Sequence, residues 1–270
     1  MNSQNNWQTL KKKLSSQTQK IGKSAHVKAK LGGDTSKKLL RGSEAQNNQQ
    51  EEDKNISPSV RAKYIALDCE MVGLGPGGKK SALARCSVVS FDGDVLYDRF
   101  VRPKGFVTDF RTKYSGVRQQ DLRQGEACTF EECQEEVAKL IKGKILVGHA
   151  LQNDLDVLML SHSRSHIRDT AYYRPLMRKI GTDTIKYRSR ALKDLSKQYL
   201  ATQIQDGEHD PSVDARAAMM LYRKFRTEWE QNLKIKKTDV TGAKVNSVKR
   251  SLDMIGAENE DSKRKISKIS

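Results

Sequence analysis

Asp68 and Glu70 stand two residues apart in the apolar stretch Tyr64-Ile-Ala-Leu-Asp-Cys-Glu-Met71. Side chains alternate between faces along a strand. Ile65, Leu67, Cys69 and Met71 therefore share one face, expected to be buried. Asp68 and Glu70 share the other with the small Ala66. Two neighbouring carboxylates are costly to bury unpaired, and each pushes the other towards protonation unless a cation sits between them. A hard divalent metal, which prefers oxygen ligands, is one solution. A solvated strand end carrying two ordinary acids is the other.

Two further stretches bear on that choice. Asp154 lies at the start of the helix expected after Gly148-His-Ala-Leu-Gln-Asn-Asp154. Ligands of open α/β sheets bind at the carboxyl ends of the strands; the competing role for Asp154 is to complement the helix dipole. Asp214 heads an apolar helical stripe with Ala217, Ala218, Leu221 and Phe225, and His209 precedes that helix. Taken singly, His209 reads as an ordinary loop histidine. Taken together, Asp68, Glu70, Asp154 and Asp214 each occupy a strand or a first helical turn able to pack on one. Such a set suits two divalent cations about 3.5–4 Å apart.

Elements that could position these residues follow from the pattern. The strand over 64–71 leads through the glycine-rich run at 73–78 to a second strand over Leu83–Phe91. Asp92-Gly93 marks a hairpin, and Val95–Val101 returns as a third strand. Thr129-Phe-Glu-Glu132 is a capping box for a helix burying Phe130, Cys133, Val137, Leu140 and Ile141 and stopping near Gly143. Lys144–Gly148 reads as a buried strand. Leu151–Leu160 reads as a helix with Leu151, Leu155, Leu158 and Met159 inward. A strand is expected over Ile167–Ala171 and a helix over Ala191–Leu200. The last helix is capped by Asp210, has Pro211 at its first position and runs to about Trp229. A meander followed by alternating helices and strands implies an α/β domain with a mixed sheet.

These motifs resemble the DEDDh family of 3′–5′ exonucleases. The residues that carry the resemblance are Leu67-Asp-Cys-Glu-Met-Val72, Gly148 to Asp154, and His209 followed five residues later by Asp214. Leu83-Ala-Arg-Cys-Ser87, Arg111-Thr-Lys-Tyr-Ser-Gly116 and Ile167-Arg-Asp-Thr170 extend it towards the RNA exonuclease 4 branch, over roughly residues 62–227. Between His209 and Asp214 this chain carries Asp-Pro-Ser-Val, where relatives often have serines and a glutamate; the spacing is intact. The resemblance implies a ribonuclease-H-like fold: a five-stranded mixed sheet flanked by helices. It implies that Asp68, Glu70, Asp154 and Asp214 hold two Mg²⁺ or Mn²⁺ ions, with Asp68 shared between them. His209 would take the proton of the attacking water, and nucleoside 5′-monophosphates would leave a single-stranded RNA 3′ end, with ribosomal RNA precursors as the cellular target. Two other readings stand beside it: a non-catalytic nucleic-acid-binding scaffold in ribosome assembly, and an exonuclease acting mainly on DNA 3′ ends.

Smaller expectations surround the centre. The backbone at Met71, Val72 and Gly73 follows the acidic strand directly and can meet the terminal nucleotide, and Asn153 can touch substrate or cap its helix. Arg85 is a candidate for phosphate contact or for a structural ion pair. His149 is read as structural, and Tyr114-Ser115-Gly116 as a corner with a role in strand placement.

The chain of 270 residues carries a net charge of +17. Residues 1–60 contribute +6, 61–230 another +6 and 231–270 the remaining +5. The ends thus hold most of the excess charge, as expected of basic, disordered tails that attract polyanions. The domain boundaries expected are 1–60 for the first tail, 61–230 for the folded part and 231–270 for the second. Lys249-Arg250 and Lys263-Arg264-Lys265 resemble a bipartite import signal, which would engage an import receptor and send the chain to the nucleus, with the nucleolus a candidate site within it. Cys69, Cys86, Cys128 and Cys133 form no CxxC pair and read as buried hydrophobes of a reducing compartment. No apolar run reaches transmembrane length, so no membrane partner is expected, and a monomer is.

Overall fold

The computed structural model describes residues 56–181 and 185–235. The expected tails, with the basic clusters at Lys249-Arg250 and Lys263–Lys265, lie outside the described residues apart from their innermost positions.

The acidic strand, β1 (Tyr64–Leu74), is the axis of the sheet. Its alternation is as expected: Ile65, Leu67 and Cys69 are buried in the main core, with Met71 packed against it, and Ala66, Asp68 and Glu70 occupy the opposite face. β2 (Lys80–Ser90) pairs antiparallel with β1 from Ile65↔Ser90 to Leu74↔Lys80, with an irregularity between Glu70 and Met71. The Asp92-Gly93 turn, with Gly93 at φ 86°, returns the chain as antiparallel β3 (Val95–Arg102). β4 (Val107–Asp109) pairs with the far end of β1, and the short helix α1 (Thr112–Ser115) follows.

β5 (Cys128–Thr129) lies parallel to the end of β3. Thr129 caps α2 (Phe130–Ile141): the Glu132 N–H donates to Thr129 Oγ1 at 3.2 Å, and the Thr129 N–H donates to Glu132 Oε2 at 2.8 Å. α2 buries Cys133, Val137 and Ile141. β6 (Ile145–Gly148) runs parallel to β1 but reaches only from Tyr64 to Ala66 along it. Then come α3 (Leu151–Val157), β7 (Ile167–Asp169) parallel to β6, and an outlying hairpin of β8 (Arg178–Ile180) and β9 (Lys186–Arg188). α4 (Leu192–Leu195) continues as a wider π turn over Ser196–Leu200, and α5 occupies residues 211–235.

The sheet order is β5-β3-β2-β1-β6-β7, with β4 on β1. The five expected strands form its continuous body. β4 and β5 raise the count to seven; with three and two residues they are too short to show any period in sequence. α3 is shorter than expected, and Met159 is 75% exposed rather than inward. The reason is a C-terminal lock. Met159 adopts φ 52°, its N–H donates to Asp156 O at 3.1 Å, and the Leu160 N–H donates to Leu155 O at 2.9 Å. This is the bonding of a Schellman motif, made here without the usual glycine, so the sequence carries no stop signal. All four cysteines are free and buried.

Candidate active site

β1 outruns its parallel neighbour. Beyond Ala66 the edge once shared with β6 has no strand partner among the described residues until Gly73 meets β4. In that gap the Cys69 N–H donates to Asp154 Oδ1 at 3.0 Å, which holds the Asp154 carboxylate beside Asp68 and Glu70. The helix carrying Asp154 is fixed by a different acid. Asp169, at the end of β7, accepts from the N–H groups of Ala150 (2.8 Å), Leu151 (2.9 Å) and Ala171 (2.9 Å). Capping the α3 N-terminus thus falls to Asp169, and Asp154 is left for the cluster. A side chain at Gly148 would lie 2.4 Å from Leu151 Cδ2 and 3.0 Å from Leu67 O, so this glycine lets α3 start close against β1.

His209 and Asp214 arrive on the start of α5. Asp210 caps that helix, its Oδ1 accepting from the Ser212 N–H (2.9 Å) and Ser212 Oγ (2.7 Å). Its other oxygen lies 3.5 Å from Arg85 Nη2. Arg85, on β2, is also forked onto Asp98 at 2.9 and 2.7 Å and lies over the Phe100 ring. The ion-pair role expected for Arg85 is the one the structure shows: it ties α5 to the sheet. The His209 N–H donates to Tyr114 O at 2.7 Å, and its ring meets the Tyr114 ring edge-on at 6.4 Å. The Tyr114-Ser115-Gly116 corner therefore seats His209. Gln205 Nε2 donates to Asp214 Oδ2 at 2.7 Å, and His209 Nδ1 lies 3.8 Å from the same oxygen.

Glu70, His209 and Asp214 come together, and Asp68 and Asp154 lie within electrostatic reach of Glu70. Glu70, His209 and Asp214 each bring one ligand atom to within 4.8 Å of the others. Asp68 feels the charges of Asp154, Asp214 and Glu70, and its pKa stands well above the carboxylate range, first through burial and then through those neighbours. Burial, then Asp214, pushes Glu70 up to about 8, while Arg85 partly offsets the rise. Burial pushes Asp154 up to about 8 against the lowering effect of the Cys69 N–H, and Asp214 up to about 6. His209 is shifted the other way, below the usual imidazole value, by burial and then by the nearby Lys193 cation.

The residues fit a divalent metal on the structure's own terms. Oδ1 of Asp214 is buried and has no hydrogen-bond partner, a costly state for a carboxylate oxygen. Hard oxygens from four acids, all held above their ordinary pKa by burial, are a donor set that a divalent cation satisfies.

A stability prediction follows for the metal-free chain. In the unfolded state these carboxyls titrate near 4. In the folded state Glu70 and Asp154 keep their protons to about 8 and Asp214 to about 6. The folded form therefore binds more protons between these limits, and its stability falls as pH rises through them. Added Mg²⁺ replaces the protons, so its stabilising effect is expected to be larger at pH 8 than at pH 5, with a melting midpoint raised by roughly 5 °C or more at pH 8. Differential scanning fluorimetry with and without Mg²⁺ at both pH values measures this; equal increments would count against the site. Arg85→Met is expected to cost about 2–3 kcal/mol in urea unfolding, because it strands the half-buried Asp98 and Asp210 carboxylates.

The remaining expected site residues are less central. Val72 is fully buried in a small cluster with Ala84, Val117 and Leu122, so only its backbone can face a ligand. Met71 packs on the main core, and Asn153 is exposed on α3. His149 is structural: its Nδ1 lies 2.9 Å from Thr170 Oγ1, and its ring lies near the Arg190 backbone. Asp169 and Gln205 support the site, and neither was a candidate from sequence. Asp169 lies within Ile167–Thr170, where an acid ending a strand beside the Asp154 helix is the available signal. Gln205 lies in a loop with none.

With this geometry in place, comparison with known proteins is direct. The exonuclease family model, RNase_T, matches residues 65–222. RNA exonuclease 4 of Debaryomyces hansenii is 46% identical over 180 residues, covering 67% of this chain and 64% of that relative. Apoptosis-enhancing nuclease of Homo sapiens is 47% identical over 178 residues, covering 65% of this chain and 53% of that relative. The chain thus spans about half to two thirds of the length of these relatives. Among solved structures, the Saccharomyces cerevisiae Pan2 pseudoubiquitin hydrolase–RNA exonuclease module in complex with A7 RNA aligns with a TM-score of 0.53 at 28% identity, over 66% of this chain and 31% of that one. The chain belongs to the exonuclease family, on its RNA exonuclease 4 branch.

Proposed function

We propose that this protein is a metal-dependent 3′–5′ exoribonuclease that shortens single-stranded RNA and releases nucleoside 5′-monophosphates. The observation that carries the reading is the grouping of Glu70 and Asp214 with the His209 imidazole, with Asp68 and Asp154 within electrostatic reach of Glu70. The four carboxylates would hold two Mg²⁺ or Mn²⁺ ions. When bound, the cations supply charge stabilisation at the phosphate being cleaved.

The chain's own residues do the rest. His209 receives the proton of the attacking water; burial and Lys193 favour its neutral, accepting form near pH 7. The Tyr114 carbonyl holds the His209 backbone, and the Asp210–Arg85 contact fixes the start of α5, so the imidazole is pre-positioned. The strand edge left open between Ala66 and Gly73 offers backbone groups to the terminal nucleotide at Met71 and Val72, with Asn153 reaching from α3. RNA is favoured over DNA by the relatives named RNA exonuclease 4 and by the RNA-bound Pan2 module. The cellular reading is trimming of ribosomal RNA precursors in the nucleus by a monomer, imported through a receptor that recognises Lys249-Arg250 and Lys263–Lys265.

Matched RNA and DNA oligonucleotides with free or blocked 3′ ends, given to the purified protein with Mg²⁺, test the reading. Stepwise shortening of RNA from free 3′ ends is expected. Shortening of DNA alone would redirect the assignment to DNA ends, and RNA binding without shortening would favour the scaffold.

A further inference from the structure

The β8–β9 hairpin is apart from the main sheet, and every residue of both strands is exposed. A two-stranded ribbon buries too little to be stable alone, so something besides packing of its own faces accounts for its composition. Its register is Arg178↔Arg188, Lys179↔Tyr187 and Ile180↔Lys186. Directly opposed residues share a face, which places Arg178, Arg188, Ile180 and Lys186 on one side and Lys179 with Tyr187 on the other. Among the described residues, none of these four cations is ion-paired. The Arg174 guanidinium lies over the Tyr187 ring at 4.4 Å, and Tyr172 nearby in sequence is 64% exposed.

The hairpin is anchored at its base to the catalytic elements. The backbone of Arg190, two residues past β9, lies near the His149 ring, and His149 directly follows β6 and precedes α3. Arg190 and Arg178 line an open cleft of about 620 Å³ together with Met177, Ser189, Ala191 and Asp194. Three residues beyond Arg190, Lys193 is exposed and lies near His209. Cationic side chains therefore run from the hairpin, past the cleft, towards the catalytic centre, with Asp183 and Asp194 the two acids in the sequence between 174 and 197.

We infer that the β8–β9 hairpin is a platform for the single-stranded RNA that trails behind the 3′ end in the active site. The strand crosses the edge of the ribbon, so that Arg178, Lys186 and Arg188 hold its phosphates on one face and Lys179 on the other, where a base stacks at Tyr187. The chemistry is that of single-strand binding: a cationic surface that tracks the backbone and an aromatic ring that accepts any base. The inference rests on the RNA exonuclease reading of the centre. It adds that an end-trimming enzyme grips the part of the chain it is not yet cutting.

The test measures binding in EDTA, where no cleavage occurs. Fluorescence anisotropy is read with labelled rU12 and with rU4, the short probe chosen to occupy the centre alone. In the variant with Arg178, Lys179, Lys186 and Arg188 all changed to Ala, affinity for rU12 is expected to fall roughly 10-fold or more, and the slope of log affinity against log salt to flatten by about 2 to 3. Binding of rU4 is expected to change less than about 2-fold by the same argument. Tyr187→Ala is expected to weaken rU12 binding about 5-fold or more without altering the salt slope, as stacking does. A control with Arg102, Arg123, Lys139 and Lys142 changed to Ala removes equal charge elsewhere. Unchanged rU12 binding in the hairpin variant, or an equal loss in the control, would overturn the inference. A failure of the exonuclease reading would appear separately, as an absence of shortening of any RNA with Mg²⁺ present.

Discussion

Asp214→Asn is expected to lower Mg²⁺-dependent shortening of RNA by roughly 10³-fold or more while leaving the fold intact. The substitution keeps the size of the side chain and removes its charge. In the folded chain the Asp214 carboxylate is buried, accepts a hydrogen bond from Gln205 on one oxygen and leaves the other without a partner. Its pKa, pushed up to about 6, records that ionising it here costs free energy. An amide has no such cost. The metal-free variant should therefore melt at the same temperature as the parent or higher, although its activity is lost. The opposite movement of stability and activity separates a ligand from a structural acid, because loss of a structural acid lowers both. Retention of activity near the parental rate would remove Asp214 from the centre.

His209→Ala is expected to reduce turnover by about 10² to 10⁴-fold, the usual contribution of a general base. Affinity for Mn²⁺, read by calorimetry, should change by only a few-fold. The separation follows from the geometry. His209 lies at the edge of the carboxylate cluster, 3.8 Å from Asp214 Oδ2, and is seated through its backbone on Tyr114. Removing the ring leaves the four acids in place. The parent's activity should fall as pH drops through the lowered imidazole pKa, and that limb should disappear from the residual activity of the variant. Loss of Mn²⁺ affinity in parallel with activity would make His209 a ligand instead of a base.

The acids were legible in the sequence because each sits where a local rule constrains it. Period-two alternation put Asp68 and Glu70 on one face of β1. Asp210-Pro211 announced the start of α5, which fixed Asp214 one turn in. The three-strand meander was equally readable, since each strand has a buried face and Asp92-Gly93 joins two of them. What escaped notice depends on tertiary closure. β4 and β5 are too short to carry a period, and β8–β9 has no buried face to impose one. The end of α3 carries no stop signal because Met159 adopts a left-handed conformation that ordinarily calls for glycine. The role of Asp169 is illegible for a related reason. An acid that caps a helix nearly twenty residues earlier in the chain leaves no trace in local spacing. That long-range cap decided between the two roles open to Asp154.

The most direct test is crystallographic. Crystals soaked in Mn²⁺ would be examined by anomalous scattering. Two peaks about 4 Å apart, flanked by Asp68, Glu70, Asp154 and Asp214 and lost in Asp214→Asn, are the result expected. An anomalous map with no density among those four carboxylates at saturating Mn²⁺ would contradict the account.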